Sequence, residues 1–65
     1  MYIFRIIETN PPHGSFDYPA EDINSVLSQY GLSLEGTTIT ESIPDRVWSV
    51  TLGPVTWLVV KLREA

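Results

Sequence analysis

The segment Val55-Thr56-Trp57-Leu58-Val59-Val60-Lys61-Leu62 is apolar on both of its faces, in a chain whose pattern supplies a single helix to cover a sheet. Side chains alternate across a strand, so Leu58, Val60 and Leu62 point one way and Val55, Trp57 and Val59 the other. One helix covers one face. The second set therefore needs another cover, and what that cover is becomes the main functional question the sequence poses.

Few folds are open to a chain this short. At 65 residues it is one domain (1–65), close to the size below which a hydrophobic core alone no longer supports folding. There is no cysteine, so neither a disulfide nor a thiolate metal site can staple it, and oligomerisation is one of the few remaining ways to reinforce the core. Absence of cysteine fits a reducing compartment. Met1-Tyr2-Ile3-Phe4-Arg5-Ile6-Ile7-Glu8 lacks the basic leader and cleavage pattern of a signal peptide, and Val55–Val60 is far shorter than the roughly 20 residues of a membrane span. The expectation is a cytoplasmic protein with no membrane partner.

Regular structure follows from periodicity. Tyr2 to Glu8 reads as a strand with Phe4 and Ile6 on one side and Ile3, Arg5 and Ile7 on the other; Asn10-Pro11-Pro12-His13-Gly14-Ser15 then breaks it. The spacing of Ile23, Val26, Leu27 and Tyr30 predicts a helix from Pro19 to Tyr30, with Pro19 in the first turn and Gly31 at its end. Thr37–Ile43 has the β-branched content of an edge strand. Arg46–Leu52 alternates Trp48, Val50 and Leu52 against Val47, Ser49 and Thr51, and Gly53-Pro54 turns the chain tightly into the last strand. The order is β-α-β-β-β with a C-terminal hairpin. The expected fold is a two-layer α+β domain, one helix on a three- or four-stranded mainly antiparallel sheet, with the first and last strands near the middle. Its covered face is expected to hold Phe4, Ile6, Trp48, Val50, Leu52, Leu58, Val60 and Leu62.

Chemistry-bearing constellations are weak. His13, Ser15 and Asp17 include the residue types of a nucleophilic triad, but a Pro/Gly-rich loop offers neither a held imidazole nor an oxyanion hole, so no catalytic residue is expected. A lone histidine without cysteine predicts no metal, and the absence of a glycine-rich phosphate loop predicts no nucleotide cofactor. The formal charge is −4, and the bases Arg5, Arg46, Lys61 and Arg63 are dispersed along the chain, which argues against a nucleic-acid partner.

What remains is a surface. On this reading Val47, Val55, Trp57 and Val59 form an apolar patch on the helix-free face, with Ile3 and Ile7 beside it, large enough to call for a cover. The sheet closing on itself, a second copy, or a different protein would each supply one. Phe16 and Tyr18 bracket Asp17 in the manner of an interaction hot spot, or else fold onto the helix start. Asp17, Glu21 and Asp22 together suit a partner with a basic surface. The expected function is a non-enzymatic protein-binding module, an accessory or inhibitor protein; small phage-encoded inhibitors of host defence enzymes share this size and acidity. The alternative is a subunit of a homo-oligomeric enzyme or ligand-binding regulator whose site forms between copies, with His13 and the Tyr18 loop at the seam.

Overall fold

In the computed structural model, which describes residues 1–65, the chain runs β1 (Tyr2–Glu8), β2 (Ser15–Ala20), α1 (Ile23–Tyr30), β3 (Thr38–Ile43), β4 (Val47–Leu52) and β5 (Val55–Glu64). The fold is α+β, one helix on one antiparallel sheet, but the sheet has five strands rather than three or four. Their order is β2-β1-β5-β4-β3. β5 lies at the centre with β1 beside it, the positions suited to strands with apolar residues on both faces. No helix is long and apolar enough to cross a membrane.

The additional strand is β2. Its residues alternate, with Phe16, Tyr18 and Ala20 opposite Ile6, Phe4 and Tyr2 on one face, and Ser15, Asp17 and Pro19 opposite Ile7, Arg5 and Ile3 on the other. Pro19 belongs to this strand and not to the helix. It sits on an edge, where a residue without an N–H leaves no ladder bond unmade if that side faces outward. The hairpin from β1 turns through Asn10–His13, closed by the His13 N–H on the Asn10 carbonyl at 2.9 Å and by Glu8 N–H on Gly14 carbonyl at 2.8 Å. The Pro11–Pro12 peptide is cis.

The helix consequently begins later than its apolar spacing alone implies. Asp22 keeps an extended backbone and its carboxylate accepts the Ser25 N–H at 2.9 Å, the capping arrangement that satisfies a free donor of the first turn. At the other end Gly31 takes φ 106°, and its N–H and that of Leu32 both donate to the Leu27 carbonyl at 3.0 and 2.9 Å. α1 leans on β2 and β1, leaving β3 at the far edge exposed along its whole length.

Nine residues are buried, and all belong to the helix side of the sheet or to the helix itself: Phe4, Ile6, Ala20, Val26, Leu27, Trp48, Val50, Trp57 and Val59. The face of β5 is therefore the reverse of that expected. Trp57 and Val59 are core, Val55 packs against them, and Leu58 and Val60 occupy the open face. The physical reason is the two-residue turn. Gly53, at φ 59°, and Pro54 place Leu52 opposite Val55, and counting back puts Val50 opposite Trp57 and Trp48 opposite Val59. Residues directly opposite one another share a face, so once Trp48 and Val50 are core, Trp57 and Val59 must be too. Leu52, expected in the covered set, lies beyond the helix's reach and is exposed. Leu62 is the extra residue where pairing with β1 slips, Ile3 standing opposite Arg63 and Phe4 opposite Lys61.

Candidate functional site

The helix-free face can be read strand by strand from the register. One line crosses all five strands as Asp17, Arg5, Val60, Val47 and Ile43. The next runs Ser15, Ile7, Leu58, Ser49 and Thr40. Thr56, Thr51 and Thr38 border this lattice on one side, and Ile3, between Pro19 and Arg63, borders it on the other. Ile3, Ile7, Val47, Leu58 and Val60 thus form a contiguous apolar centre over β1, β5 and β4. Every one is half-buried, whereas no residue of this face is fully buried. Branched residues on a pleated surface shelter one another, which keeps the strands extended but leaves their outer methyl groups facing water.

A single ion pair frames the apolar centre. Arg5 Nε donates to Asp17 Oδ1 at 2.7 Å and Nη2 to Oδ2 at 3.0 Å, a two-pronged contact between neighbouring strands. The hydrogen bond from Arg5 holds the Asp17 carboxyl below its ordinary range, and the same bond raises the guanidinium. Both side chains remain substantially solvated, so the pair fixes orientation more than it stabilises.

The helix face carries a different constellation. Trp57 Nε1 donates to the Tyr30 hydroxyl at 3.2 Å, and that hydroxyl donates to Glu8 Oε2 at 2.7 Å. Glu8 Oε1 in turn accepts the Gly14 N–H at 2.9 Å. A Cβ on residue 14 would stand 2.8 Å from that same oxygen, so glycine is what lets the loop backbone reach the carboxylate. Phe16, Tyr18 and Trp57 surround the Tyr30 ring, with centroids 5.9, 6.5 and 6.2 Å away. Burial among these rings, reinforced by the bond to Glu8, raises the Tyr30 hydroxyl above its ordinary value. The network ties helix, hairpin loop and central strand together; with every partner matched, it is a structural clasp.

The residues singled out from sequence as contacts divide accordingly. Val47 lies on the open face as expected, but Trp57 and Val59 do not, and Val55 is partly buried against the core. Phe16 and Tyr18 both point to the helix side, Tyr18 half-buried and Phe16 exposed at 44%. The three acids do not act as a cluster: Asp17 holds Arg5, Glu21 lies 3.2 Å from the N-terminal amine, and Asp22 caps the helix. His13 is exposed at φ 61°, with no hydrogen bond joining it to Ser15 or Asp17. Sequence reasoning missed Leu58 and Val60 as open-face residues. The signal was present in the length of the Gly53-Pro54 turn, which dictates the parity of β5.

Comparison of the chain with protein-family models, with curated proteins and with solved structures finds no match.

Proposed function

We propose that this chain is a small non-enzymatic protein-binding module, an accessory or inhibitor protein that acts by laying its helix-free sheet face on a partner. The observation that carries the reading is the one-sidedness of the core: all nine buried residues lie on the helix side of the sheet or in the helix, while Ile3, Ile7, Val47, Leu58 and Val60 form an apolar centre with nothing over it. The Arg5–Asp17 pair and the surrounding threonines supply the polar rim that such an interface needs for register. Small phage-encoded inhibitors of host defence enzymes are one class that fits the size and acidity, and the cytoplasm is the compartment we propose, where a domain without disulfides is at no disadvantage. A site between copies with Tyr18 at its seam has less support, because Tyr18 packs edge-on against Tyr30 on the helix side.

The test uses a double substitution, Leu58→Thr with Val60→Thr, which places a β-branched, strand-favouring residue at both positions while removing apolar surface. In parallel pull-downs from the native cell, the unsubstituted chain should retain a protein in near-stoichiometric amount that the variant loses, with the far-UV circular dichroism unchanged. Equal recovery by both chains would remove this face from the interface.

A further inference from the structure

The two edges of the sheet are finished differently, and hydrogen-bond parity shows how. Along an antiparallel ladder, successive residues turn their N–H and C=O toward one neighbouring strand and then toward the other. Glu8 N–H donates to the Gly14 carbonyl, one residue outside the Ile7–Ser15 pair, so Ile7 and Ser15 exchange no bonds with each other. Ser15, Asp17 and Pro19 therefore direct their backbone groups away from β1, to the outer edge of β2. At that edge Pro19 has no N–H to offer, and its carbonyl is taken by Gln29 Nε2 of the helix at 2.7 Å. The β2 edge is closed at its helix end.

The β3 edge is open. Lys61 N–H donates to the Arg46 carbonyl at 2.8 Å, one residue outside the Val47–Val60 pair, so Val47, Ser49 and Thr51 turn their backbone groups from β5 toward β3. There Ser49 and Thr51 meet Thr40 and Thr38, which leaves the N–H and C=O of Ile39 and Glu41 directed outward. No turn or loop bond of the backbone takes these groups up. Neither proline nor lysine blunts the strand, and its one irregularity, the extra residue Ser42, comes after them. Apolar surface gathers here too. Of the six large apolar side chains left exposed, Leu34, Ile39, Ile43 and Leu52 lie in β3, in the segment that enters it or at the end of β4.

Charge selects the occupant. From Ile6 to Asp45 the chain has no lysine or arginine, and Glu35, Glu41 and Asp45 stand in and around β3. Asp45 is engaged by Lys61, but Glu35 and Glu41 form no ion pair. Glu41 Oε2 accepts the Asp45 N–H at 3.0 Å, which fixes that carboxylate at the end of the open stretch. A second copy would bring the same acids to the seam, where like charges oppose pairing, whereas a basic strand would neutralise them.

We propose that β3 accepts an extended basic segment of a partner protein as a sixth, antiparallel strand, bonded to the outward backbone groups of Ile39 and Glu41. This rests on the reading of the chain as a protein-binding module and specifies how the partner is held. Backbone bonds to an open edge supply affinity, and alternate side chains supply specificity. Ile39 and Glu41, opposite Val50 and Trp48, point to the helix side, and the residues paired with them point there as well. In its own chain direction the segment therefore carries a lysine or arginine facing Glu41, any residue next, and a β-branched apolar residue facing Ile39.

The experiment is an NMR titration of the isotope-labelled chain with the peptide acetyl-Thr-Lys-Thr-Val-Thr-Lys-Thr-amide. The amide signals of Ile39 and Glu41 are expected to shift saturably and their exchange with solvent to slow about tenfold or more, while Ser15 and Asp17 on the β2 edge stay unchanged. N-methylation of the peptide's valine should abolish the response, and glutamate in place of both lysines should weaken it about tenfold. Ile39→Pro removes an outward donor without touching the bonds to β4, so it should keep the folded amide spectrum and lose the peptide. Glu41→Gln, whose amide oxygen still accepts the Asp45 N–H, should weaken binding about two- to fivefold. Shifts that never saturate, or an equal response to the N-methylated peptide, would overturn the proposal. So would movement of the Ile39 and Glu41 signals with protein concentration alone, which would make a second copy the occupant. The two readings fail separately: a partner lost in the pull-down by Leu58→Thr with Val60→Thr but retained by Ile39→Pro would leave the binding module standing and remove strand addition.

Discussion

Tyr30 has its hydroxyl between an indole that donates to it and a carboxylate that accepts from it, inside a ring of aromatic side chains. Burial and the acceptor Glu8 both favour the neutral phenol, while the Trp57 N–H works the other way by favouring the phenolate. The first two prevail, so the folded state binds the phenolic proton more tightly than the unfolded chain does. The sign follows from this. Stability contributed by the shift is complete below the ordinary tyrosine value near 10, and it is lost as pH rises through the higher folded value. Tyr30→Phe removes the effect and leaves Glu8 and Trp57 each short of a partner, costing about 1–3 kcal/mol near neutrality. The difference in urea midpoint between the native chain and Tyr30→Phe should therefore narrow as pH is raised from about 9 to 12. A difference that stays constant over that range would mean that the native phenol is not shifted.

Among the elements, β5 shows what the sequence could and could not convey. Its apolar run, its central position and its place in a hairpin are all legible, because each depends on local pattern. The choice of face is not a local property: Trp57 and Leu58 are equally good core residues, and only pairing with β4 distinguishes them. That pairing was available from the two-residue turn, as a count of residues outward from Gly53-Pro54. β2 was hidden for a different reason. Phe16, Tyr18 and Ala20 alternate with Ser15, Asp17 and Pro19 as a strand should, but the prolines on either side favour loop and helix-start readings when the partner strand is not in view. Face assignment in β5 has a direct test. Trp57→Ala should cost about 3–5 kcal/mol as a core truncation, enough to unfold most of so small a domain, whereas Leu58→Thr one position away should cost far less. Comparable losses in urea titration would contradict the assignment.

At the scale of the whole molecule, the area of the open face separates the two kinds of cover that a sheet can take. Five strands about 4.8 Å apart and some six residues long present a face of roughly 500 Å². Two copies stacked face to face would then bury about 1,000 Å² in total, short of the 1,200–2,000 Å² that stable interfaces bury. The apolar centre is smaller still, limited to β1, β5 and β4, with threonine and the Arg5–Asp17 pair around it. A larger partner does not have this limit. It can cover the sheet face and continue past the edge strand β3, whose residues are all exposed and whose Ile43, beside Val47 on that face, offers further apolar contact. The isolated chain is therefore expected to be a monomer of about 7.3 kDa by light scattering at concentrations up to about 100 μM. A stable dimer at ten-fold lower concentration would show that the face is sufficient for self-association. Loss of that dimer on Leu58→Thr with Val60→Thr would then make a second copy, rather than a different protein, the natural cover of the sheet.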